Sequence, residues 1–288
     1  MAVERDFDKL WNYDDPAATE KKFRELLPAA EKGKDKGYYI ELLTQLARTQ
    51  SLQMKFDKAH ELLDKAMKLI TAEHIVPRIR FMLERGRTYN SSKEFAKARE
   101  LFHAAYLQAE KYGEDNLAID AVHMLGIVDK GDDSLKWNNL AIEMAERTKD
   151  EKAKGWLGAL YNNTGWTYHD MGEYEKALSL FERNVEWHTA RKSGMQLYIA
   201  KWSVARCLRS LGRVEEALKM QMGFRESENE KMACEDGYNN QEIGECLLAL
   251  GRVEESKPYF REAYKLLSND AWIAANEKEI LEDLKAKS

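Results

Sequence analysis

The stretch from Ala159 to Val185 decides the fold, and it reads ALYNNTGWTYHDMGEYEKALSLFERNV. Its small and aromatic residues are spaced as they would be on two short amphipathic helices, because positions three or four apart share one helix face. The marked positions are Gly165, Tyr168, Gly172, Tyr174, Ala177 and Phe181. Gly172 predicts a turn between the helices. Since small residues on facing sides let two backbones approach closely, the stretch predicts a tight helical hairpin.

The same register recurs along the chain at nearly equal steps of about 40 residues, a length within the range of known helical repeats. The small residue of the first helix is, in order, Ala47, Gly86, Gly126, Gly165, Ala205 and Gly244. The partner position on the second helix follows at a constant offset and is Ala59, Ala98, Asn138, Ala177, Ala217 and Ser256. Self-similarity at a fixed period of this length is typical of a helical solenoid. The sequence therefore predicts six helical repeats.

Short motifs recur in phase with this register. They are L-x-x-x-A with FDKAHELLDKA (Leu43, Ala47, Phe56 to Ala66), GRTY with FAKARELFHAA (Gly86 to Tyr89, Phe95 to Ala105), GWTY with YEKALSLF, LGRVEEAL (Leu211 to Leu218) and LGRVEESKPYF (Leu250 to Phe260). In these motifs the chain resembles the tetratricopeptide repeat (TPR) family. The resemblance implies an all-α fold, a right-handed superhelical α-solenoid of TPR-like helix-turn-helix repeats with capping helices. The period exceeds the family's usual length of about 34 residues, as in the subset of the family that includes kinesin light chain.

The third repeat departs most from the pattern. It has Asn138 in the small slot and Asp129 where neighbouring repeats have tyrosine. We expect its helix pair to be distorted, with the turn at Lys130 to Ser134 (KGDDS) and one of the two aspartates of that turn capping the next helix.

Three segments are predicted along the chain. Residues 1–37 form an N-terminal apolar cluster and a capping helix, residues 38–270 form the six TPR-like repeats, and residues 271–288 form one C-terminal capping helix. The apolar cluster, which we expect to plug the open end of the first repeat, consists of Phe7, Leu10, Trp11 and Tyr13. The C-terminal helix presents Ile273, Ile280, Leu281 and Leu284 to the last pair. Because a repeat array grows by stacking, we expect one elongated domain.

Composition excludes several classes of protein. The net charge of -5 gives no global positive field to attract nucleic acid. No apolar run approaches the length of about 18 residues that is typical of a membrane span. The first residues do not resemble a signal peptide. These observations predict a cytoplasmic protein that binds neither nucleic acid nor membrane. Two of the three cysteines, Cys207 and Cys246, occupy equivalent helix positions and are predicted to be buried fillers.

Motifs for catalysis are absent from the sequence. There is no Gly-rich phosphate loop, G-x-S-x-G motif or paired CxxC, and the HELLD stretch at His60 lacks the second histidine of a zinc protease. The six histidines show no ligand spacing. We therefore expect no enzyme activity, no catalytic residues, no metal and no cofactor.

One face of each first helix points away from its partner helix, and in the TPR family this face lines a concave groove. The face includes the positions three and two before the small residue, and those one, four and five after it. The resemblance thus implies a peptide-binding groove formed by Arg48, Arg87, Asn90, His123, Asn162, Asn163, Trp166, His169, Trp202, Arg206 and Arg209.

The chemistry of this row suits an extended peptide. Asparagine amides match the alternating donors and acceptors of a backbone, arginine forks bind carboxylates, and Trp166 and Trp202 offer flat apolar area. The alternative is structural: the tryptophans pack against neighbouring helices and the arginines pair with nearby glutamates. The family's carboxylate clamp for chaperone tails uses Lys and Asn, whereas Arg48 and Arg87 stand here, so chaperone-tail binding is not supported.

The sequence predicts a protein–protein interaction scaffold that binds a peptide or helical segment in its groove. The ligand we expect is a protein or peptide partner with an acidic or C-terminal segment and one large apolar side chain, and the chain itself is expected to be a monomer or weak homodimer. The alternatives are a self-associating structural protein and a peptide-sensing regulatory module.

Overall fold

The computed structural model describes residues 5–226 and 230–288, without the side chains of residues 230–232, 271, 272 and 275. Throughout these residues the regular structure is helical and contains no strand. The fold class is therefore all-α, as predicted, with consecutive helices packed in the manner of an α-solenoid. The structure divides into two compact units, Met1–Leu160 (unit 1) and Tyr161–Ser288 (unit 2). The sequence had predicted one domain, and the predicted boundaries after residues 37 and 270 remain predictions.

Unit 1 begins with a short 3-10 helix at Asp6–Leu10. It continues with α1 (Pro16–Lys32), α2 (Lys36–Leu52), α3 (Phe56–Leu69), α4 (Ile75–Ser91), α5 (Phe95–Lys111), α6 (Asp115–Val128), α7 (Gly131–Arg147) and α8 (Glu151–Lys154). Helices α2, α4 and α6 pack on α3, α5 and α7 respectively, and α1 packs on α2. Their buried residues form one cluster, whose fully buried large members include Phe7, Phe23, Leu43, Leu63 and Phe102.

Helix α9 (Leu157–Asp170) contains the boundary between the two units. Unit 2 continues with α10 (Tyr174–Arg191), α11 (Gly194–Ser210), α12 (Val214–Phe224), α13 (Glu230–Glu235), α14 (Gly237–Ala249), α15 (Val253–Ser268), α16 (Ala271–Asn276) and α17 (Lys278–Ala286). Helix α11 packs on α10 and α12, and α14 packs on α12 and α15. Cys207 and Cys246 are buried, as predicted, and burial raises the pKa of Cys207 to about 11 and that of Cys246 to about 12.

Small residues permit the close helix approach that the sequence predicts. A Cβ atom added to Gly86 would lie 2.5 Å from Cε1 of Phe102, and one added to Gly165 would lie 2.5 Å from Cε1 of Phe181. At Gly244 the corresponding distance, to Phe260, is 2.8 Å. The ring sixteen positions after each glycine therefore occupies the volume that a larger residue would need.

A left-handed residue lies seven positions after the small residue in five of the helix pairs. It is Met54 (φ 60°), Lys93 (φ 66°), Gly172 (φ 77°), Gly212 (φ 76°) and Gly251 (φ 75°). Each lies in a three-residue turn between the two helices of a pair. This conformation ends a helix sharply, and it favours glycine because only glycine lacks the Cβ clash.

The third pair has a different turn from the predicted one. Only Asp129 and Lys130 separate α6 from α7, which begins at Gly131 with φ 58°. The predicted turn at 130–134 is thus wrong: its aspartates lie in the first turn of α7, and no side chain caps that helix. Asn138 compensates for the missing aromatic ring, since its Oδ1 lies 2.2 Å from where a Cβ on Gly126 would be.

The C-terminal segment forms two short helices, α16 and α17, so the prediction of a single helix is wrong. Its apolar residues nevertheless cover the last pair: Ile273 and Leu284 are buried in one cluster with Phe260, Ala263 and Leu267. Within the described ranges, no helix combines the length and the apolar character that crossing a membrane requires.

Candidate functional site

A cavity of about 520 Å³ lies in unit 1 and is called the unit 1 cavity. Helices α2, α4 and α6, together with α8, contribute most of its charged residues, and residues 5–13 (the N-terminal segment) contribute one wall. The charged side chains are Asp8, Arg48, Arg80, Glu84, Arg87, Asp120 and Lys152, and the apolar and aromatic ones are Trp11, Tyr13, Leu83, Leu117, Met124, Ile127 and Trp156. Arginine and lysine outnumber the carboxylates there by four to three, so the cavity has a small excess of positive charge.

Arg87 is fixed by carboxylates of its own unit. Its guanidinium donates to Glu84 at 2.8 Å and forms a short ion pair with Asp120. Burial alone would lower the pKa of Arg87, but the charges of Asp120 and Glu84 outweigh it and raise the pKa. The charge of Arg87 is therefore already compensated by Glu84 and Asp120, as expected if the arginines pair with nearby carboxylates for structural reasons.

The positive charge of Arg48 is compensated much less than that of Arg87. Among the described carboxylates, only Glu84 lies within 4.0 Å of its guanidinium, with Nε and Oε2 separated by 3.8 Å. Burial lowers the pKa of Arg48, since this distant partner offsets the lost hydration only in part. Arginine remains charged at any physiological pH. The unit 1 cavity thus contains a partly buried cation that would gain from a carboxylate supplied by a ligand.

The N-terminal segment is fixed against α2 and α4 by polar contacts. Asp8 accepts two hydrogen bonds from Arg80, both of 3.0 Å, and Nε1 of Trp11 donates to Oε1 of Gln45 at 2.9 Å. Arg5 donates twice to Glu41, at 2.7 and 3.0 Å. The predicted apolar plug is therefore also the wall of a polar cavity.

His123 lies in the same cavity, with its ring 5.5 Å from that of Trp156. Burial lowers the pKa of His123 from its ordinary value near 6.5. The imidazole is therefore neutral at pH 7, where it adds hydrogen-bonding capacity to the cavity but no charge.

A second cavity, of about 340 Å³, lies in unit 2 and is called the unit 2 cavity. It is lined by Asn162, Trp166, Tyr198, Ile199, Trp202, Ser203, Asp236 and Tyr238. The rings of Trp166 and Trp202 are 6.0 Å apart, and that of Tyr238 meets Trp202 edge-on at 6.4 Å. Asp236 is engaged by the hydroxyl of Tyr198 at 2.8 Å. The lining is therefore dominated by aromatic surface.

The two arginines predicted for unit 2 both pair with one carboxylate. Arg209 donates twice to Glu242, at 2.8 and 3.0 Å, and Nε of Arg206 lies 3.0 Å from the same group. Nearby, the Nε2 atom of His169 lies 2.9 Å from Oγ of Ser210. These residues form an internal network, and none of the three predicted residues lines the unit 2 cavity.

The structure thus distributes the predicted groove residues over two cavities. Arg48, Arg87 and His123 line the unit 1 cavity, and Asn162, Trp166 and Trp202 line the unit 2 cavity. Asn90 is half-buried and Asn163 exposed, and neither lines a cavity described here.

Residues six positions before the small residue were missed by the sequence reasoning. Four of them line the cavities: Arg80 and Asp120 in unit 1, and Ile199 and Tyr238 in unit 2. They lie about one helical turn before the predicted positions, so extending the same helix face by one turn would have found them.

Comparison with known proteins identifies repeat motifs in both halves of the chain. The family model described as tetratricopeptide repeat matches residues 157–186, and a second model of the same description matches residues 239–269. The first covers most of the helix pair α9 and α10, and the second covers α14 and α15. A search of curated proteins finds no significant match.

Several solved structures share the fold at low sequence identity. The apo form of RapI superposes with a TM-score of 0.74 at 13% identity, covering 96% of this chain and 82% of that chain. The signal transduction ATPase with a tetratricopeptide repeat sensor from Pyrococcus horikoshii gives 0.72 at 15% identity, covering 94% of this chain and 44% of that one. The apo quorum sensor NprR from B. thuringiensis superposes with a TM-score of 0.62 at 14% identity, covering 96% of this chain and 78% of that chain. The chain therefore contains stretches that match the tetratricopeptide repeat, at residues 157–186 and 239–269, and it shares its fold with these structures.

Proposed function

We propose that this protein is a non-enzymatic interaction module that binds a segment of a protein or peptide in the unit 1 cavity. The observation that carries the proposal is Arg48, a partly buried cation whose only close carboxylate among the described residues stands 3.8 Å away. A ligand carboxylate placed there would form a charge-assisted hydrogen bond without breaking an existing close one. A solved structure of NprR contains its cognate peptide, and that protein shares the fold at 15% identity with a TM-score of 0.53.

The ligand we propose carries an acidic or C-terminal carboxylate. The excess of arginine and lysine in the cavity favours a negative group, while the half-exposed Ile127 gives apolar area beside it. Nucleic acid is a poor candidate, because the chain carries a net charge of -5.

The unit 2 cavity is proposed as an independent site for one large apolar side chain of a partner. Aromatic walls of this kind are common at interaction hot spots, and Ile199 and Tyr238 remain 46% and 40% exposed at the cavity. Burying these surfaces against a partner would remove apolar area from water.

We further propose that the protein works in the cytoplasm as a monomer or weak homodimer. Sedimentation velocity over a wide range of concentration tests this directly. A stable oligomer at low concentration would favour the alternative of a self-associating structural protein, whereas a single species near 33.4 kDa agrees with a binder.

The test of the proposed function is a selection from a random peptide library, displayed both internally and with a free C-terminus. Peptides selected on the full chain are then titrated against Arg48→Gln by fluorescence anisotropy. Loss of a hydrogen bond to a charged group costs about 1.5–3 kcal/mol, so we expect affinity to fall by about tenfold or more.

Arg24→Gln is the matched control. Arg24 lies on α1 in the same unit, is half-exposed, pairs only with Glu20 among the ion pairs found, and does not line the cavity. It should leave affinity unchanged. Peptides that bind Arg48→Gln as tightly as the parent would place the binding surface elsewhere and refute the proposal.

For unit 2, the informative pair is Ile199→Glu and Met195→Glu. Both residues lie on α11 and are about half exposed, but only Ile199 lines the unit 2 cavity. A charge inside the cavity should reduce the affinity of selected apolar peptides, and the charge at Met195 should not. Equal effects of the two substitutions would count against a site at this cavity.

A further inference from the structure

The unit 2 cavity receives aromatic rings from three helices. Trp166 lies on α9, Trp202 on α11 and Tyr238 in the first turn of α14. The rings of Trp166 and Trp202 are 6.0 Å apart and tilted by 41°, and Tyr238 meets Trp202 at 6.4 Å. By contrast, the stacked rings of Trp11 and Tyr13 are 4.7 Å apart with an angle of 5° between their planes. The rings of the unit 2 cavity do not stack on one another in this way, so they offer ring surface to a ligand.

The charge of this lining comes from one carboxylate. Asp236 is the only charged residue among the described residues that line the cavity. Its oxygens accept a hydrogen bond of 2.8 Å from the hydroxyl of Tyr198 and another of 2.8 Å from the backbone N–H of Tyr238, by which it caps α14. Burial raises the pKa of Tyr198, so its hydroxyl stays protonated and donates. Since neither donor is a cation, the carboxylate is held at the wall with its charge uncompensated.

More negative charge lies beside the aromatic wall. Burial raises the pKa of Tyr238, and the charges of Glu277, Asp270 and Asp236 act in the same direction. Arg225 is a nearby cation, but its guanidinium donates to a side chain of α14 at 3.0 Å and does not line the cavity. The unit 2 cavity therefore favours a positive group, whereas the unit 1 cavity has a small excess of positive charge.

Two buried polar atoms of the lining have no hydrogen-bond partner among the described residues. They are Oδ1 of Asn162 and Nε1 of Trp202. Buried polar atoms in folded proteins are nearly always paired, so these two indicate that a ligand completes the site. The Trp202 donor suits an oxygen of the ligand, and the Asn162 acceptor suits its positive part.

The hydration of the cation decides which positive group fits. A primary ammonium is strongly hydrated and has three N–H donors to satisfy, while both oxygens of Asp236 already accept hydrogen bonds. A methylated ammonium has fewer donors or none, and its methyl groups pack on aromatic rings. A cation within about 6 Å of a ring centroid is attracted to the ring. Because the centroids of Trp166 and Trp202 are 6.0 Å apart, a cation between them lies within reach of both.

We propose that the unit 2 cavity is an aromatic cage for a methylated ammonium group, with Trp166, Trp202 and Tyr238 around the methyl groups and Asp236 as the counter-ion. The inference rests on the proposed function of this cavity and narrows it: the large apolar group of the ligand carries a positive charge. Two sources share this chemistry, a methylated lysine side chain of a protein partner and a free choline-like compound. Ile199 and Tyr238 are 46% and 40% exposed, so the cavity is open to either.

The experiment uses the full chain and two pairs of probes that differ in charge and match in shape. The first pair is a short peptide containing trimethyllysine and the same peptide with a tert-butyl group in place of the trimethylammonium group. The second pair is choline and its neutral carbon isostere, 3,3-dimethylbutan-1-ol. The peptide with unmethylated lysine completes the set. Affinities are measured by isothermal titration calorimetry.

Three substitutions in the cavity separate ring from charge. Tyr238→Leu removes an aromatic ring at the rim, and Tyr238→Phe keeps it. Asp236→Asn removes the charge but keeps an oxygen that can cap α14. Glu215→Gln is the matched control, because it also removes one negative charge from the first turn of a helix in unit 2. Glu215 is exposed on α12 and lies outside the cavity.

We expect the parent and Glu215→Gln to bind the trimethyllysine peptide about tenfold more tightly than its neutral isostere, and also more tightly than the lysine peptide. Tyr238→Phe should keep this preference. Tyr238→Leu and Asp236→Asn should each reduce it by about threefold or more and still bind the neutral isostere. Since the isostere reports an intact cavity, a folding defect cannot produce this pattern. A preference confined to the choline pair would assign the site to a free compound, and one confined to the peptide pair to a lysine side chain.

Two results would overturn the inference. Equal binding of the charged and neutral members of both pairs by the parent would show that no cation is recognised, and the proposed site for an apolar side chain would stand. A charge preference that survives both Tyr238→Leu and Asp236→Asn would place the cation outside this cage. If neither member of either pair binds, the inference and the proposed unit 2 site both fail.

Discussion

Replacing Gly165 by alanine should destabilise the protein, although alanine is the better helix former. The new Cβ would lie 2.5 Å from Cε1 and 2.8 Å from Cδ1 of Phe181, whereas carbon atoms in contact prefer about 3.5–4.0 Å. The ring would have to move by about 1 Å, yet Phe181 is fully buried and also contacts Trp166 at 5.0 Å.

The two opposing contributions can be compared. Overpacking a buried contact costs about 1–3 kcal/mol, and glycine to alanine in a helix gains about 0.5–1 kcal/mol. We therefore expect Gly165→Ala to lose about 1 kcal/mol of unfolding free energy. Gly223→Ala is the matched control: Gly223 lies in α12, where an added Cβ would meet nothing within 4 Å, so this substitution should be neutral or stabilising.

The assay is thermal and urea unfolding of both variants, with a rescue. The chain itself shows the compensating combination, because Ala47 and Leu63 occupy the positions equivalent to Gly165 and Phe181 and both are fully buried. Phe181→Leu should therefore cost less in the Gly165→Ala background than in the parent, by about 1 kcal/mol or more. If Gly165→Ala proves as stable as Gly223→Ala, and Phe181→Leu shows no such coupling to it, the helix packing described above is refuted.

Three further predictions concern the turns, the N-terminal segment and the C-terminal helices. Lys93→Gly should raise stability by about 0.5–1 kcal/mol in urea unfolding, because Lys93 has φ 66° and a non-glycine residue is strained there. Burial acts to raise the pKa of Asp8, but the hydrogen bonds and charge of Arg80 outweigh it and hold the pKa below its ordinary value. The contribution of Asp8 to docking of the N-terminal segment is therefore fully present above about pH 4 to 5 and is lost as the pH falls below that. Hydrogen exchange of residues 5–13 should rise on acidification in the parent and be high at all pH values in Asp8→Asn. Truncation after Asn269 removes the buried Ile273 and Leu284, which should cost about 3–6 kcal/mol and lower the melting temperature or cause aggregation.

Repeat periodicity predicted the fold because it is set by packing that recurs. The small residue and the side chain sixteen positions later must fit together, so the constraint appears in the sequence at Gly86, Gly165 and Gly244, where that side chain is a phenylalanine ring. The C-terminal break at Glu277 has no such recurring counterpart. A local interruption in one unrepeated segment could therefore not be predicted from the period.

The third pair shows how one substitution changes several local features. The sequence identified Asn138 as an unusual residue in the small slot. In the structure, Asn138 is buried against Gly126 and occupies volume that a ring fills elsewhere. We expect Asn138→Ala to open a gap and cost stability, and a second substitution, Gly126→Ala, to recover part of the loss.

The candidate sites were only partly predictable. The face of each first helix follows from helical geometry, and Arg48, Trp166 and Trp202 of that face line the two cavities. Pairing between side chains on different helices depends on distances that the sequence does not contain. Arg209 could therefore be placed on the right helix, but its engagement by Glu242 could not be predicted.

The most direct test of the central claim is a photo-cross-linking map. A selected peptide carrying a benzophenone group is irradiated on the full chain, and the attachment sites are found by mass spectrometry. Binding in the unit 1 cavity predicts attachment to accessible cavity-lining residues such as the half-exposed Ile127 on α6, and this attachment should be lost in Arg48→Gln. Attachment confined to α3, α5 and α7, and unchanged by that substitution, would contradict the account.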